Sequence, residues 1–147
     1  MVRYKKIKHN ILPFFVELKK MLEADKDVIF CYLFGSYGRD NPNPLSDIDI
    51  AVYLTDNVDL FEKKMELVGA INTILKTDEV DLLILNNAPL SFQMEVISKG
   101  KLLLSKDEKL RLDFMAKTYS MYCDTEPLRK NAKKNMLLRI RGAKIGT

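Results

Sequence analysis

Two aspartates one residue apart, Asp47 and Asp49, are the residues whose type and spacing most directly indicate chemistry. They open an apolar run, DIDIAVYL, and side chains in an extended strand alternate between its two faces. Asp47 and Asp49 therefore share one face, with Cα atoms roughly 6–7 Å apart. The opposite face is expected to enter a core with Ile48, Ile50 and Val52. Because two carboxylates on one face repel each other unless a cation lies between them, the pair predicts a site for a hard metal ion such as Mg²⁺.

Asp81 is a third acid, placed inside another apolar stretch, EVDLLIL. In a strand it shares a face with Leu83 and Leu85, and burying an acid there without a partner is costly. If this strand lies beside the strand of Asp47 and Asp49, the three carboxylates form one cluster. The alternative is an isolated acid at an exposed strand edge.

Apolar periodicity predicts the elements that position these acids. Four strands are expected: one from Val28 to the Gly35-Ser36 turn, and others over about 47–54, 79–85 and 101–105. Residues 37–46, with their glycine, prolines and asparagines, are expected to form a turn. Helices are expected over about 11–24, 58–76, 90–98, 107–123 and, after a break at Pro127, 128–141.

The helix over 58–76 follows a cluster of capping residues, Thr55, Asp56 and Asn57. Its core-facing side is predicted from the apolar positions Val58, Phe61, Met65, Val68, Ile71 and Leu75. Methionine and aromatic residues of the helices are generally expected in the core. For Tyr119 and Tyr122, a partner-binding surface is the alternative.

The stretch GSYGRDNPNPLSDIDIAV, which joins the Gly-Ser turn to the paired aspartates, resembles the nucleotidyltransferase superfamily typified by DNA polymerase beta. More narrowly, it is similar to the minimal nucleotidyltransferases, the MntA-type antitoxins that pair with HEPN toxins. The motif covers 18 residues, and the order of the elements supports the resemblance to about residue 105. The resemblance implies an α/β (α+β) fold: a small mixed sheet flanked by helices, with a helical C-terminal region.

The resemblance also implies the roles of the acids. In nucleotidyl transfer a hydroxyl attacks the α-phosphate in line and pyrophosphate leaves, and two Mg²⁺ ions about 3.5–4 Å apart can stabilise the developing charge. Asp47, Asp49 and Asp81 are the expected catalytic and metal-binding residues, with Asp81 as a metal ligand or as the base for the attacking hydroxyl. Asp47 and Asp49 also belong to the expected nucleotide-binding set.

Gly35, Ser36 and Arg39 are expected to hold the β- and γ-phosphates of ATP. Gly35 permits close backbone approach to a phosphate, Ser36 offers hydroxyl and amide donors, and the Arg39 guanidinium suits bidentate phosphate contact. Asp40 stands where the family commonly has glycine. Its charge would mildly repel a triphosphate, which leaves the orientation of Arg39 open.

Length and composition favour one domain over residues 1–147, with 106–147 as a helical extension. The hydrophobic and charged fractions, 47% and 30%, are ordinary for a globular protein. No apolar run approaches the roughly 18 residues of a membrane span, and no signal-peptide core follows the basic start, so a cytoplasmic location without membrane contact is expected. His9 is the single histidine, which excludes Ser-His-Asp catalysis, and Cys31 and Cys123 lack the neighbours of a zinc site.

The net charge of +4 is unevenly distributed along the chain. Residues 127–147 carry seven basic side chains and no acid, so residues 1–126 sum to −3. Such a segment permits nucleic-acid contact by phosphate neutralisation. The basic segment is explained at least as well by a solvated helix face or by docking to an acidic protein, so nucleic-acid binding is not the favoured interpretation.

The resemblance implies an Mg²⁺-dependent enzyme that moves AMP from ATP to a hydroxyl, a tyrosine of a cognate HEPN ribonuclease toxin. The protein would then be an antitoxin that acts by AMPylation in a hetero-oligomer with its toxin. Two alternatives stay open: transfer to a small, aminoglycoside-like alcohol, and neutralisation by docking without catalysis. The short chain favours an acceptor that brings its own surface, and clustered acids argue against docking alone because unused they would be an electrostatic cost.

Overall fold

The computed structural model describes residues 12–34 and 48–145. The helices are α1 (Phe15–Ala24), α2 (Leu60–Leu75), α3 (Leu90–Lys99), α4 (Glu108–Asp124) and α5 (Glu126–Ile145). The strands are β1 (Val28–Phe34), β2 (Ile48–Leu54), β3 (Val80–Ile84) and β4 (Lys101–Ser105). The order and type of these elements agree with the sequence predictions.

Two helix starts differ from the predictions. The N-cap of α2 is Asp59, whose side chain accepts a hydrogen bond from the Glu62 backbone N–H at 3.1 Å, so the predicted cap at residues 55–57 is wrong. Pro127 does not break a helix, since it lies in the first turn of α5. A proline is tolerated there because the first-turn N–H groups have no intrahelical acceptor.

The described strands form one mixed sheet in the order β3-β2-β1-β4. β1 pairs antiparallel with β2 and with β4, whereas β2 and β3 are parallel. Parallel neighbours need a crossover connection, and α2 supplies it. This architecture confirms the predicted fold, a small mixed sheet flanked by helices.

Helices cover both faces of the sheet, which explains why β1 is apolar on both sides. Leu18 of α1 and Ile71 of α2 belong to the core on one face. The strand residues of that core include Ile48, Ile50 and Val52, as predicted. On the other face Val96 of α3 and Phe114 of α4 pack around Phe30, whose ring stacks on Tyr53 at a centroid distance of 4.8 Å.

The buried side of α2 differs from the predicted apolar stripe. Phe61 and Met65 are 71% and 50% exposed, whereas Lys63 is buried. The buried residues of α2 are Lys63, Leu67, Ile71 and Leu75. The expectation that helical methionine and aromatic residues are core residues is likewise wrong for Phe61, Met65, Phe92, Tyr119, Met121 and Met136.

Lys63 is buried because its ammonium group reaches the turn between α1 and β1. Its Nζ lies 2.7 Å from Asp25 Oδ2 and 3.2 Å from Asp27 Oδ2. Burial by itself lowers the pKa of Lys63, but the hydrogen bonds to Asp25 and Asp27 outweigh it and raise that pKa. For Asp25, burial alone would raise the pKa. The hydrogen bonds that Asp25 accepts from Lys63 and from the Asp27 N–H have the larger combined effect, so the pKa of Asp25 is lowered. The ion pairs therefore fasten α2 to the start of β1.

α4 is fastened to the sheet by Arg111, whose Nη1 donates to the Tyr32 hydroxyl at 2.8 Å. α5 extends from α4, with the Arg129 guanidinium 3.6 Å from the centroid of the Tyr122 ring. From Lys130 onward, every α5 residue whose side chain is described is exposed. None of the described helices combines the length and apolarity needed to cross a membrane.

Replacing Lys63 by methionine retains an unbranched side chain but leaves the Asp25 and Asp27 carboxylates without their ammonium partner. We expect the free energy of unfolding to fall by about 2 kcal/mol, measured by urea denaturation. Lys64→Met is the matched control, because Lys64 is half-buried and forms no ion pair with another described residue. It should change stability by less than about 0.5 kcal/mol. Equal effects of the two substitutions would contradict the anchoring role.

The contribution of this ion pair should depend on pH. Folding lowers the pKa of Asp25, so its contribution is complete above the ordinary value of 3.8 and is lost as the pH falls through the folded value. Folding raises the pKa of Lys63, so its contribution is complete below 10.5 and declines above it. The difference in unfolding free energy between wild type and Lys63→Met should be constant from about pH 5 to 9 and shrink below about pH 4. Urea titrations at each pH measure it, and an undiminished difference at about pH 3 would contradict the linkage.

Candidate active site

Phe34, Asp49 and Asp81 lie in one row across three neighbouring strands. Phe34 of β1 is the register partner of Asp49 in β2, and Asp49 is the register partner of Asp81 in β3. Register partners project to the same face, and neighbouring strands are about 4.8 Å apart. The two carboxylates are therefore adjacent, at a separation that one cation can bridge. The strand of Asp81 lies beside the strand of Asp49, which is the condition under which the sequence led us to expect a carboxylate cluster.

The other residues predicted for the site lie outside the described residues. They are Gly35, Ser36, Arg39 and Asp47, together with Asp40. Gly35 directly follows Phe34, and Asp47 directly precedes β2, so in sequence both ends of this segment adjoin the row of Phe34 and Asp49. Their predicted roles stay predictions.

A backbone hydrogen bond fixes the start of β2 against β3 at the site. The Ile48 N–H donates to the Glu79 carbonyl at 2.8 Å, one residue before Asp49 in β2 and two residues before Asp81 in β3. On the opposite face of the sheet, Ile48 and Leu82 are buried in the core. The register that brings Asp49 beside Asp81 is thus held by hydrogen bonds along the strands and by apolar packing beneath them.

α3 is positioned beside β3 by two polar side chains that bond to backbone. Asn86 accepts from the Leu54 N–H and donates to the Leu54 carbonyl, both at 2.8 Å, which ties the end of β3 to the end of β2. Gln93 Nε2 donates to the Leu85 carbonyl at 2.8 Å, and Val96 is fully buried against the sheet. Because Gln93 and Val96 point toward the sheet, a different side of α3, with Ser91, Phe92 and Glu95, faces the cleft that contains Asp49 and Asp81.

A cleft of about 630 Å³ lies between the aspartate row and α3. Its described lining residues are Phe34, Asp49, Asp81, Leu82, Leu83, Ser91, Phe92 and Glu95. The sequence predictions missed the contribution of α3. This contribution could have been inferred from the position of α3, which is the next α-helix after the strand of Asp81 and has Phe92 in its first turn.

The donor set of the cleft suits a hard cation. Asp49 and Asp81 offer carboxylate oxygens, the ligands that Mg²⁺ prefers. Glu95 adds a third carboxylate to the lining, but its Oε1 lies 3.5 Å from Lys99 Nζ. Within residues 12–34 and 48–145, no group of three acidic, histidine or cysteine side chains is close enough to hold a metal ion. Asp49 and Asp81 therefore fit Mg²⁺ as part of a ligand set that the described residues do not complete.

A thiol nucleophile has no place in this cleft. Cys31 is fully buried in the core, where burial strongly raises the pKa of its thiol, and Cys123 is exposed on α4. Neither cysteine lines the cleft, and neither forms a disulfide. Among the described lining residues, the ionisable side chains are therefore the carboxylates of Asp49, Asp81 and Glu95.

A model of the polymerase beta nucleotidyltransferase family matches residues 16–109. The chain belongs to this family of nucleotidyltransferases. The matched residues include the four strands of the described sheet, both aspartates of the row and α3. The family predicted from the motif is thereby confirmed.

The chain is also similar in sequence to a protein adenylyltransferase. The chain is 38% identical over 91 residues to the protein adenylyltransferase MntA of Shewanella oneidensis. The match covers 62% of the chain and 63% of MntA, so it spans less than two thirds of that protein.

Solved structures extend the similarity along the chain. A chain from the solved complex of a tri-AMPylated HEPN toxin of S. oneidensis with an MNT antitoxin matches this chain with a TM-score of 0.69 and 28% identity. The match covers 87% of this chain and 99% of the chain in the complex. A toxin–antitoxin structure with AMP-PNP matches with a TM-score of 0.69 and 29% identity, over 88% and 99%. An MntA–HepT toxin–antitoxin structure matches with a TM-score of 0.67 and 28% identity, over 85% and 97%.

Mg²⁺ should stabilise the protein through the adjacent carboxylates. At an Mg²⁺ concentration tenfold above the dissociation constant, we expect the free energy of unfolding to rise by about 1.4 kcal/mol, measured by denaturation with and without the ion. Asp81→Asn should remove most of this gain, because it replaces one of the two adjacent carboxylates of the described cleft. Asp78→Asn, an exposed acid just before β3, is the control and should retain the gain. An Mg²⁺ effect that is equal in both variants would contradict the assignment.

Proposed function

We propose that this protein is an Mg²⁺-dependent protein adenylyltransferase that moves AMP from ATP to a tyrosine of a cognate HEPN toxin. The observation that carries the proposal is the in-register pair of Asp49 and Asp81 beside an open cleft, in a nucleotidyltransferase chain. Similarity to the adenylyltransferase MntA supports the reaction type. Similarity to the complex with a tri-AMPylated HEPN toxin supports a protein acceptor, and the AMP-PNP structure supports ATP as donor.

The acids divide the work of the reaction. Asp49, with Asp47, would hold Mg²⁺ against the α-phosphate, and Asp81 would act as a further ligand or as the base for the acceptor hydroxyl. When bound, two Mg²⁺ ions supply charge stabilisation for the attacking oxygen and for the leaving pyrophosphate. Gly35, Ser36 and Arg39 would hold the β- and γ-phosphates. Holding both reactants in line converts an encounter in solution into a step within one complex.

We also propose that the catalytic unit and its extension form one domain over residues 1–147. α4 lies in the segment 106–147, yet its Phe114 packs in the core on one sheet face and its Arg111 bonds to Tyr32 of β1. The antitoxin would work in a hetero-oligomer with its toxin. α5, which is basic and exposed beyond Arg129, is then available to an acidic surface of the partner.

AMP transfer should be lost when an aspartate of the row is neutralised. ATP labelled at the α-phosphate is incubated with Mg²⁺, the purified protein and its proposed partner, a cognate HEPN toxin. We expect label on the HEPN protein, with a rate at least ~100-fold lower for Asp49→Asn and for Asp81→Asn, because each removes charge stabilisation of the transition state. Asp78→Asn is the matched control and should label at the wild-type rate.

The outcomes separate the proposed function from its alternatives. A tight complex without label on the partner would replace the enzyme by a docking antitoxin. Label that appears only on an added aminoglycoside-like alcohol would replace the protein acceptor by a small molecule. Replacing each exposed tyrosine of the partner by phenylalanine then identifies the acceptor hydroxyl.

A further inference from the structure

Phe92 is a large aromatic side chain that the core does not use. It is 55% exposed and lines the cleft, whereas the side of α3 that packs on the sheet presents Gln93 and Val96. None of the ring–ring contacts among the described residues includes Phe92; the ring cluster on this sheet face consists of Phe30, Tyr32, Tyr53 and Phe114. An exposed aromatic ring beside paired acids is a platform for a ligand with an apolar body and a polar end.

The order of residues across the sheet shows which reactant approaches Phe92. Gly35, the start of the proposed triphosphate segment, follows Phe34 at the β1 end of the row, Asp49 lies in the middle and Asp81 lies at the β3 end. In an in-line transfer the attacking oxygen enters opposite the leaving pyrophosphate. With the β- and γ-phosphates on the β1 side, the acceptor hydroxyl must enter from the side of Asp81. That is the side on which α3 follows β3 and brings Phe92 into the cleft.

On this side the cleft is polar at one end and apolar along the rest, which matches the hydroxyl tip and the apolar ring of a tyrosine. Asp81 provides a carboxylate at one end, and Leu83 and Phe92 provide apolar surface along the rest. A tyrosine side chain carries an apolar ring and a hydroxyl tip about 6.5 Å from its Cβ, a length comparable to two residues of strand, the spacing from Asp81 to Leu83. The adenine base, in contrast, is joined to the α-phosphate through ribose, so it does not lie on the axis that runs through the attacking and leaving oxygens.

We propose that Phe92 and Leu83 form the acceptor subsite, in which the ring of a partner tyrosine stacks on Phe92 while its hydroxyl reaches Asp81. The assignment rests on the proposed adenylyltransferase function. The tyrosine oxygen forms the new bond to the α-phosphorus, and the bond from the α-phosphorus to the bridging oxygen of the β-phosphate breaks. Pyrophosphate leaves with that electron pair, and the phenolic proton passes to the Asp81 carboxylate or to water beside it.

Steady-state kinetics of AMP transfer to the HEPN partner test the subsite. Phe92→Ala should raise the KM for the partner about tenfold, the effect of losing an aromatic pair and its apolar contact, while the KM for ATP and kcat stay near wild type. Phe92→Tyr, which retains the ring, should restore the wild-type KM. Phe61→Ala is the matched control, because Phe61 is 71% exposed on α2 and does not line the cleft. A rise in the KM for ATP instead would assign Phe92 to the adenine base and overturn the proposal.

A binding measurement separates failure of this inference from failure of the proposed function. Saturation-transfer NMR detects weak binding of N-acetyl-tyrosinamide to the protein with Mg²⁺ and AMP-PNP, and it requires no transfer. We expect contact at the ring protons for wild type and for Phe61→Ala, and loss of that contact for Phe92→Ala. Wild-type transfer to the partner with unchanged ring contact in Phe92→Ala would overturn the subsite and leave the adenylyltransferase function intact. Ring contact that depends on Phe92, without any transfer, would support a phenol subsite and count against the proposed reaction.

Discussion

The alignment of Phe34, Asp49 and Asp81 across three strands is the constraint on which the rest of the structure depends. Side chains alternate along a strand, so a slip of one residue between β2 and β3 would turn Asp81 to the buried face and separate it from Asp49. The register is held from that buried face by Ile48, Ile50, Leu82 and Ile84. Exposing each such side chain costs roughly 1.5–3 kcal/mol, more than two partly solvated carboxylates lose by repulsion. Apolar packing therefore holds the Asp49 and Asp81 carboxylates close together, at a distance at which a cation can bind between them.

The antiparallel pairing of β1 and β2 decides which chain ends meet at the site. In open parallel sheets, ligands bind beyond the carboxyl ends of the strands. Here the carboxyl end of β1 meets the amino ends of β2 and β3, so Phe34, the last residue of β1, lies in one row with both aspartates. The Lys63 ion pair lies at the start of β1, about 20 Å away along a strand of seven residues. The anchor of the crossover helix and the row of Phe34, Asp49 and Asp81 are thus at opposite ends of the sheet.

The sequence predicted the elements because these depend on local patterns, whereas the approach of Asp81 to Asp49 was expected only on the condition that their two strands are neighbours. Strand alternation and an acid within an apolar run are visible in a short window. The burial of Lys63 was not predictable in this way, since its carboxylate partners lie in another element and periodicity counts only apolar residues. Phe61 was assigned to the core for the same reason, although the side of α2 that packs inward carries Lys63 together with Leu67, Ile71 and Leu75. Phe92 was missed because exposure depends on how α3 crosses the sheet, and the predictions for residues 35–47 lie outside the described ranges.

The position of β3 at the edge of the described sheet determines how an acceptor can reach Asp81. The strand order places β2 on one side of β3 and no further strand of the described sheet on the other. An edge strand invites pairing with other chains, and a charged side chain on it discourages such pairing. Asp81 is exposed on this edge, so it can oppose strand addition while staying accessible to a hydroxyl. A small alcohol needs walls that hold it from several directions, whereas a tyrosine on a folded partner is already held by the partner's own surface. A site that opens at a sheet edge, beside the exposed ring of Phe92, therefore suits an acceptor that arrives as part of another protein.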